Sequence, residues 1–356
     1  MLWLNYISIV SLIIGIAAKY IPPVLFWIPA FFGLAFPFIF LLNILFLLYW
    51  FIQFRYAFLF GFIALCFALP TAYRYIQFSS SDFSSGAKLL SVTSYNCMLF
   101  DLYNWKKNHL TRPKILNSVS EINPDIICFQ EFYTSEEKGD YNNADTIKKL
   151  LGLDYYHAEF TYTLRDLDHW GIATFSKYPI INQGKIIFNT TSNNICIYSD
   201  IVRNNDTIRI YNLHLQSIRF SDKDNKFLED MMAKEKDVDN ELQKSKNILR
   251  RLKRAFTMRS RQVEMIAAHM KTCRYKIILC GDFNDTAASY AYETLRDNLK
   301  DCFIEKGHGI GRTYAGKWPQ FRIDYILHDK KIRCRRYERS SETFTDHYPI
   351  TAWFEL

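Results

Sequence analysis

Between Met1 and Ser81 the chain carries only three charged side chains, Lys19, Arg55 and Arg74, and its first acidic residue is Asp82. A water-exposed surface cannot be built from so few ionic groups, so this region is expected to face lipid. Charge-free stretches cover 1–18, 20–54 and 56–73, and a bilayer-crossing helix takes about 20 apolar residues. A transmembrane region of about three helices is therefore predicted over 1–76, making the chain a multi-pass integral membrane protein. Lys19 with Pro22 and Pro23 divides the first span from the second, and Gln53 to Tyr56 divides the second from the third. Trp3, Trp27, Trp50, Tyr49, Tyr56, Tyr73 and Tyr75 suit the membrane–water interfaces. A cleaved signal peptide fits poorly, because the segment is too long and lacks a charged leading region. One basic residue per junction does not orient the region, so the side faced by the rest of the chain stays open.

A Ser-rich, turn-rich stretch, 77–88, links this region to the rest of the chain. With the three early basic residues set aside from the 44 Lys and Arg, the remainder carries 41 against 36 acidic residues. That mild surplus is no nucleic-acid signature by itself. Seven of the eight cysteines lie after residue 90 without a C-x-x-C pair, and Cys128, Cys196 and Cys280 sit in apolar runs, so buried thiols are expected.

Short β-type runs recur from residue 89 onward, among them "LLSVTSYN", "DIICFQE", "GIATFS", "KIIFN", "TIRIYNLHL", "KIILCGDFN" and "RIDYILH". Helical stretches separate several of them: 111–122, 144–151 and a charged segment over 222–271. Some runs are continuously apolar and others alternate, which fits two packed sheets with outer helices, a mixed α and β class. The segment 222–271 reads as a charged helical insertion of one or two amphipathic helices. Its basic cluster, Arg250, Arg251, Lys253, Arg254, Arg259 and Arg261, suits lipid headgroups, a polyanionic substrate, or simply a solvated helix face.

Polar groups appear repeatedly where a strand runs out: Asn96, Gln130 and Glu131, Asn212 and His214, Asp282 and Asn284, Asp324, then Asp346 and His347. Carboxylates with amides, and no Cys-His cage, suit a hard divalent cation, Mg²⁺ or alternatively Mn²⁺, better than zinc. An Asp beside a His adds the acid and base that hydrolysis needs. Each motif alone is weak: "GDFN" by itself is an ordinary strand-to-helix turn with an Asx cap.

Together and in this order, the set resembles the endonuclease/exonuclease/phosphatase superfamily, with its deoxyribonuclease I-like fold. The resemblance covers about 89–356 and implies a four-layer sandwich, two β-sheets face to face with helices outside. It implies a metal held by Glu131 and Asp346 with Asn96 nearby. Asp282 and Asn284 would orient water and contact phosphate, and Asp324 would hold and charge His347. His214 would be a second phosphate-contacting histidine, which makes the apurinic-endonuclease branch a poorer match. Asp166 and Asp168 lie in the right part of the chain to support His214, with no motif that singles out either. The remaining histidines, His109, His157, His169, His269, His308 and His328, read as solvated or internally satisfied; His308 lies in "GHGIGRTY", a glycine-rich loop expected beside the site.

The expected activity is therefore metal-dependent hydrolysis of a phosphodiester or phosphomonoester. The substrate is a nucleic acid, a phospholipid or an inositol phosphate, a choice that fold and motif do not make. A sequence-independent nuclease on DNA or RNA and a sphingomyelinase-like phospholipid phosphodiesterase are the alternatives. A non-catalytic binding module would be signalled by a lost metal carboxylate, and none is lost. Membrane lipid is the expected partner of the N-terminal helices, and no protein partner is implied.

Overall fold

A computed structural model describes residues 1–79, 89–137, 139, 141–188, 193–218, 238–316 and 319–356. The N-terminal region forms four helices where three were expected: α1 (Leu2–Ala17), α2 (Ile28–Leu34), α3 (Phe36–Ile52) and α4 (Ala57–Ala72). The extra break has a local cause. Pro37 lies in the first turn of α3, where it lacks the N–H a continuous helix would need, and α2 and α3 meet at Ala35 with a 70° bend. Among the described residues no single helix is long and apolar enough to cross a membrane, whereas α2 and α3 together reach that length and composition.

Of the expected linker, Gln77–Phe78 is a short strand, β1, paired antiparallel with β11 (His308–Gly309), and the Ser79 amide donates to the Gly307 carbonyl. The rest of the linker lies outside the described residues. The seam goes further. The Arg74 guanidinium donates to the Ala287 carbonyl at 3.0 Å, and Arg322 donates to the Arg74 carbonyl at 3.0 Å while pairing with Asp301 at 2.7 Å. Ala288 packs among Leu12, Phe36 and Ala68.

The remainder is built on two six-stranded sheets. One has the order β13 (Arg333–Arg339), β14 (Ile350–Glu355), β2 (Leu90–Asn96), β3 (Ile126–Ser135), β5 (Asp168–Ser176), β4 (Tyr155–Leu164). The other runs β6 (Ile180–Ile186), β7 (Ile195–Arg203), β8 (Asp206–His214), β9 (Lys276–Asp282), β12 (Asp324–Asp329), β10 (Leu299–Asp301). In each sheet only the central pair is parallel, β2 with β3 and β8 with β9. Parallel neighbours need a crossover. The first is α5 (Thr111–Ile122), closed by Asn123 in the left-handed conformation; the second contains α7 (Val238–Lys271). The helical part of the expected insertion is thus the crossover that joins two central strands, and 222–237 lies outside the described residues.

Three apolar layers hold the sandwich. Leu90, Val92, Ile126 and Cys128 of one sheet meet Ile208, Ile210, Ile278 and Cys280 of the other. α5 and α6 (Asn143–Leu151) cover the outside of the first sheet with Ile115, Val119 and Ile147. α7 and α8 (Tyr290–Arg296) cover the outside of the second with Val263, Ile266, Ala291 and Leu295. The period-2 alternation of a strand turns every second side chain toward the space between the sheets. Along the four central strands these inward positions begin apolar and end polar: Leu90 and Val92 then Ser94 and Asn96, Ile126 and Cys128 then Gln130, Ile208 and Ile210 then Asn212 and His214, Ile278 and Cys280 then Asp282. Parallel pairing sends these ends to the same edge. All eight cysteines are free thiols, six of them buried.

Candidate active site

The polar ends meet in layers. Lowest is an amide bridge between the sheets: Gln130 Nε2 donates to Asn212 Oδ1 at 2.7 Å, and Asn212 Nδ2 donates to the Ala173 carbonyl at 2.9 Å. Both amides are fully buried, where unmet hydrogen bonds would cost about 1–3 kcal/mol each.

Asp282 stands at the centre of the next layer. It is directly opposite His214 on β8 and Asp324 on β12. Gly281 allows this approach: its φ of +143° and a Leu213 carbonyl oxygen 2.0 Å from where a Cβ would stand exclude any side chain. Asn96 Nδ2 donates to Asp282 Oδ2 at 3.2 Å; the Asn284 amide donates to Oδ1 at 2.8 Å and its side chain to Oδ2 at 3.2 Å. His214 Nε2 lies 3.6 Å from Asp282 Oδ2 and 3.8 Å from Glu131 Oε1, and His347 Nε2 lies 3.8 Å from Asp282 Oδ2.

His347 is oriented by Asp324, with Nδ1 at 2.9 Å from Oδ2. Burial pulls the imidazolium down, but the Asp324 and Asp282 carboxylates outweigh it and hold its pKa well above the usual histidine value. Asp282 moves the other way from an ordinary carboxylate. Burial pushes it up to about 6 against the lowering influence of His347.

Glu131 reaches the site through a fault in its strand. The β3–β5 register shifts between Phe129 and Phe132, and Glu131 itself has a φ of 48°, rare for a residue with a side chain. Strain of this kind persists where the surroundings fix it, commonly at functional sites. Asp346 is half-buried on the loop that ends at His347, and its carbonyl accepts from the Ala315 amide at 2.7 Å. Thr345 ties that loop to β2 by donating to the Asn96 carbonyl at 3.2 Å.

Every expected site residue therefore gathers at this one edge of the sandwich, and the structure adds others. Tyr314 pairs with His347 in an isolated bridge, its ring 5.4 Å from the imidazole. Burial, then the carboxylates of Asp346, Asp282 and Glu131, raise its hydroxyl to about 12. Only the glycine-rich context "GHGIGRTY" hinted at it. Thr313 accepts at 3.0 Å from the Asp324 amide, and no sequence motif marks it. Asp168 is not placed by its contacts as a support for His214: it accepts from Tyr133 at 2.6 Å and pairs with Arg165.

The donor set fits a hard divalent cation. Glu131, Asp282, Asp324 and Asp346 gather four carboxylates around two histidines, with the Asn96 amide beside them. The one nearby thiol, Cys97, is buried and held protonated by that burial and by Glu131. Asp282, Asp324 and His347 also present ligand atoms within 4.8 Å of one another. His347 Nδ1 is already committed to Asp324, so these three read better as an acid–base chain, leaving Glu131, Asp346 and Asn96 for the cation.

Residues 93–347 match the model of the Endonuclease/Exonuclease/phosphatase family, and residues 1–75 match a domain of unknown function, DUF8431. No curated protein matches the chain. Among solved structures, an endonuclease/exonuclease/phosphatase family protein from Leptotrichia buccalis is 16% identical (TM-score 0.52), covering 75% of this chain and 100% of that one. The human Nocturnin catalytic domain, solved with bound sulfate, is 17% identical (TM-score 0.50), covering 75% and 93%. Humanized D. rerio TDP2 is 13% identical (TM-score 0.51), covering 76% and 100%. At these identities the likeness is one of fold. The family match spans more than half of the sequence, and the chain belongs to the endonuclease/exonuclease/phosphatase family.

Proposed function

We propose that the protein is a membrane-anchored, divalent-cation-dependent phosphoesterase that cleaves phosphodiester or phosphomonoester bonds by attack of water in line with the leaving group. The observation that carries this reading is the Asp324–His347 pair facing Asp282, with His214 and Glu131 within 4 Å of each other, in one cleft. Asp282 orients the attacking water and, with its raised pKa, accepts a proton near neutrality. His347, kept charged by Asp324, and His214 donate to the phosphoryl oxygens as negative charge develops. Asn284 holds Asp282 in place through its backbone and side-chain amides. A Mg²⁺ or Mn²⁺ ion held by Glu131 and Asp346, with Asn96 alongside, would neutralise the phosphate and stabilise the leaving oxygen.

The favoured substrate is a phosphate ester met at a membrane surface. The loop that brings Tyr314 to His347 also joins β1 through β11 and sets Phe321 6.2 Å from Phe38 of α3. In this reading the N-terminal helices place the cleft beside lipid.

The test is Mg²⁺-dependent product release by the full chain, against Glu131→Gln and His347→Ala. The panel is phospholipid vesicles, plasmid DNA, single-stranded DNA and a bis-aryl phosphodiester. Each substitution is expected to lower the rate by about 10²–10⁴-fold with the fold retained. Near-full activity in both variants would overturn the assignment, and preferred cleavage of DNA with steep salt sensitivity would move the substrate to nucleic acid.

A further inference from the structure

Five of the six cations of the α7 basic cluster are exposed; Arg259 is 1% exposed. Its guanidinium spans two loops. Nε donates to Asp285 Oδ2 at 2.9 Å and Nη1 donates to the Gln216 carbonyl at 2.8 Å. Asp285 follows Asn284, and Gln216 stands two residues after His214, so one planar group holds both loops that leave the central strands of this sheet. Neighbouring bonds are consistent: Asn284 Nδ2 donates to the Leu215 carbonyl at 3.0 Å, and Gln262, on the same helix, accepts from the Gln216 amide at 2.9 Å.

We propose that Arg259 is a positioning residue that sets the separation of His214 from the Asp282–Asn284 turn. The inference rests on the phosphoesterase reading for its kinetic consequence, and on geometry alone for its structural one. A buried ion pair needs only charge; the rigid fork of arginine supplies two directed bonds at a fixed spacing, which lysine cannot. The role therefore separates from mere stability.

The test uses the full chain in detergent, with Arg259→Lys and the double variant Arg259→Met/Asp285→Asn. The lysine keeps the pairing with Asp285 and loses the second loop; the double variant removes both charges, so neither remains buried alone. With the bis-aryl phosphodiester and Mg²⁺, both variants are expected to unfold near the wild-type temperature. Their kcat is expected to fall about 100-fold, with KM within about twofold, the cost of a misplacement of about 1 Å. Independently, amide exchange of peptides covering 212–218 and 282–288 is expected to quicken, while peptides covering 90–96 and 126–135 stay unchanged. Wild-type kcat in the double variant, or unchanged exchange in both loops, overturns the proposal. If the wild type cleaves none of the esters, the phosphoesterase reading fails and the exchange result still decides the role of Arg259. If Arg259→Lys does not fold, the double variant carries the same measurements.

Discussion

The N-terminal helices and the two-sheet domain sort their side chains in opposite senses. In α1–α4 the outward positions are apolar, including Trp3, Ile7, Leu45, Phe51 and Phe67, while Asn5, Ser8, Asn43 and Thr71 are buried. Asn43 Nδ2 donates to Ser8 Oγ at 2.9 Å, and Lys19 Nζ to Thr71 Oγ1 at 3.1 Å, so these two polar pairs meet inside the bundle. In the two-sheet domain the core is apolar, as the hydrophobic effect in water requires, and the buried ionic groups such as Arg322 with Asp301 and Arg259 with Asp285 are paired. The difference teaches that two regions with opposite sorting still share a buried seam: Arg74 and Arg322 cross it with hydrogen bonds, and Phe31 meets Phe256 of α7 with ring centres 5.1 Å apart. The apolar exterior of α1–α4 is the feature on which the proposed membrane placement rests.

The largest test of the contrast is all-or-none. Cell membranes holding the full chain, washed at alkaline pH, are expected to retain it; release into the wash would mean that the apolar exterior is covered by protein, not lipid. Next in size is the seam. Arg322→Ala leaves Asp301 buried without its cation and is expected to cost about 3–5 kcal/mol, read as a lower unfolding temperature of the full chain in detergent. An unchanged temperature would show that neither the Asp301 pair nor the Arg322 bond to the Arg74 carbonyl holds the fold. A smaller effect is expected from Gly33→Leu. A Cβ there would stand 2.9 Å from the Ala18 Cβ and 3.1 Å from the Ala288 carbonyl oxygen, so the overpacked helix should lose about 1–3 kcal/mol. Stability equal to wild type would mean that the two regions can part at α2.

The sequence showed most clearly what repeats along a strand. The runs "SVTSYN", "ICFQE", "IYNLHL" and "ILCGDFN" each pass from apolar to polar on one face, and that transition is the cleft. The family resemblance then attached roles to Glu131, Asp282 and His347. Less was legible where topology decides. Nothing local says that α7 joins two neighbouring strands, so its length and charge looked like an insertion. Arg259 looked like one more surface cation because burial depends on Asp285 and Gln216, which are distant in the chain. The fourth N-terminal helix depends on Pro37 acting as a break inside the charge-free run 20–54, which reads as one span by composition.

The order of strands carries one more consequence. In space one sheet reads β6-β7-β8-β9-β12-β10 and the other β13-β14-β2-β3-β5-β4, with the same alternation of directions. In each, a hairpin flanks a central strand, a helix carries the chain to the second central strand, and the chain then visits the outermost strand before returning beside the centre. The plan is that of one unit used twice and circularly permuted, with His214 and Asn96 at equivalent ends and Asp282 level with Gln130. The strand plan is thus close to two-fold while the chemistry is not: one copy carries His214, Asp282 and Asp324, the other Asn96, Glu131 and, on the loop before β14, Asp346 and His347. Division of labour between two copies of one plan gives a nearly symmetric scaffold a site whose two sides differ in chemistry.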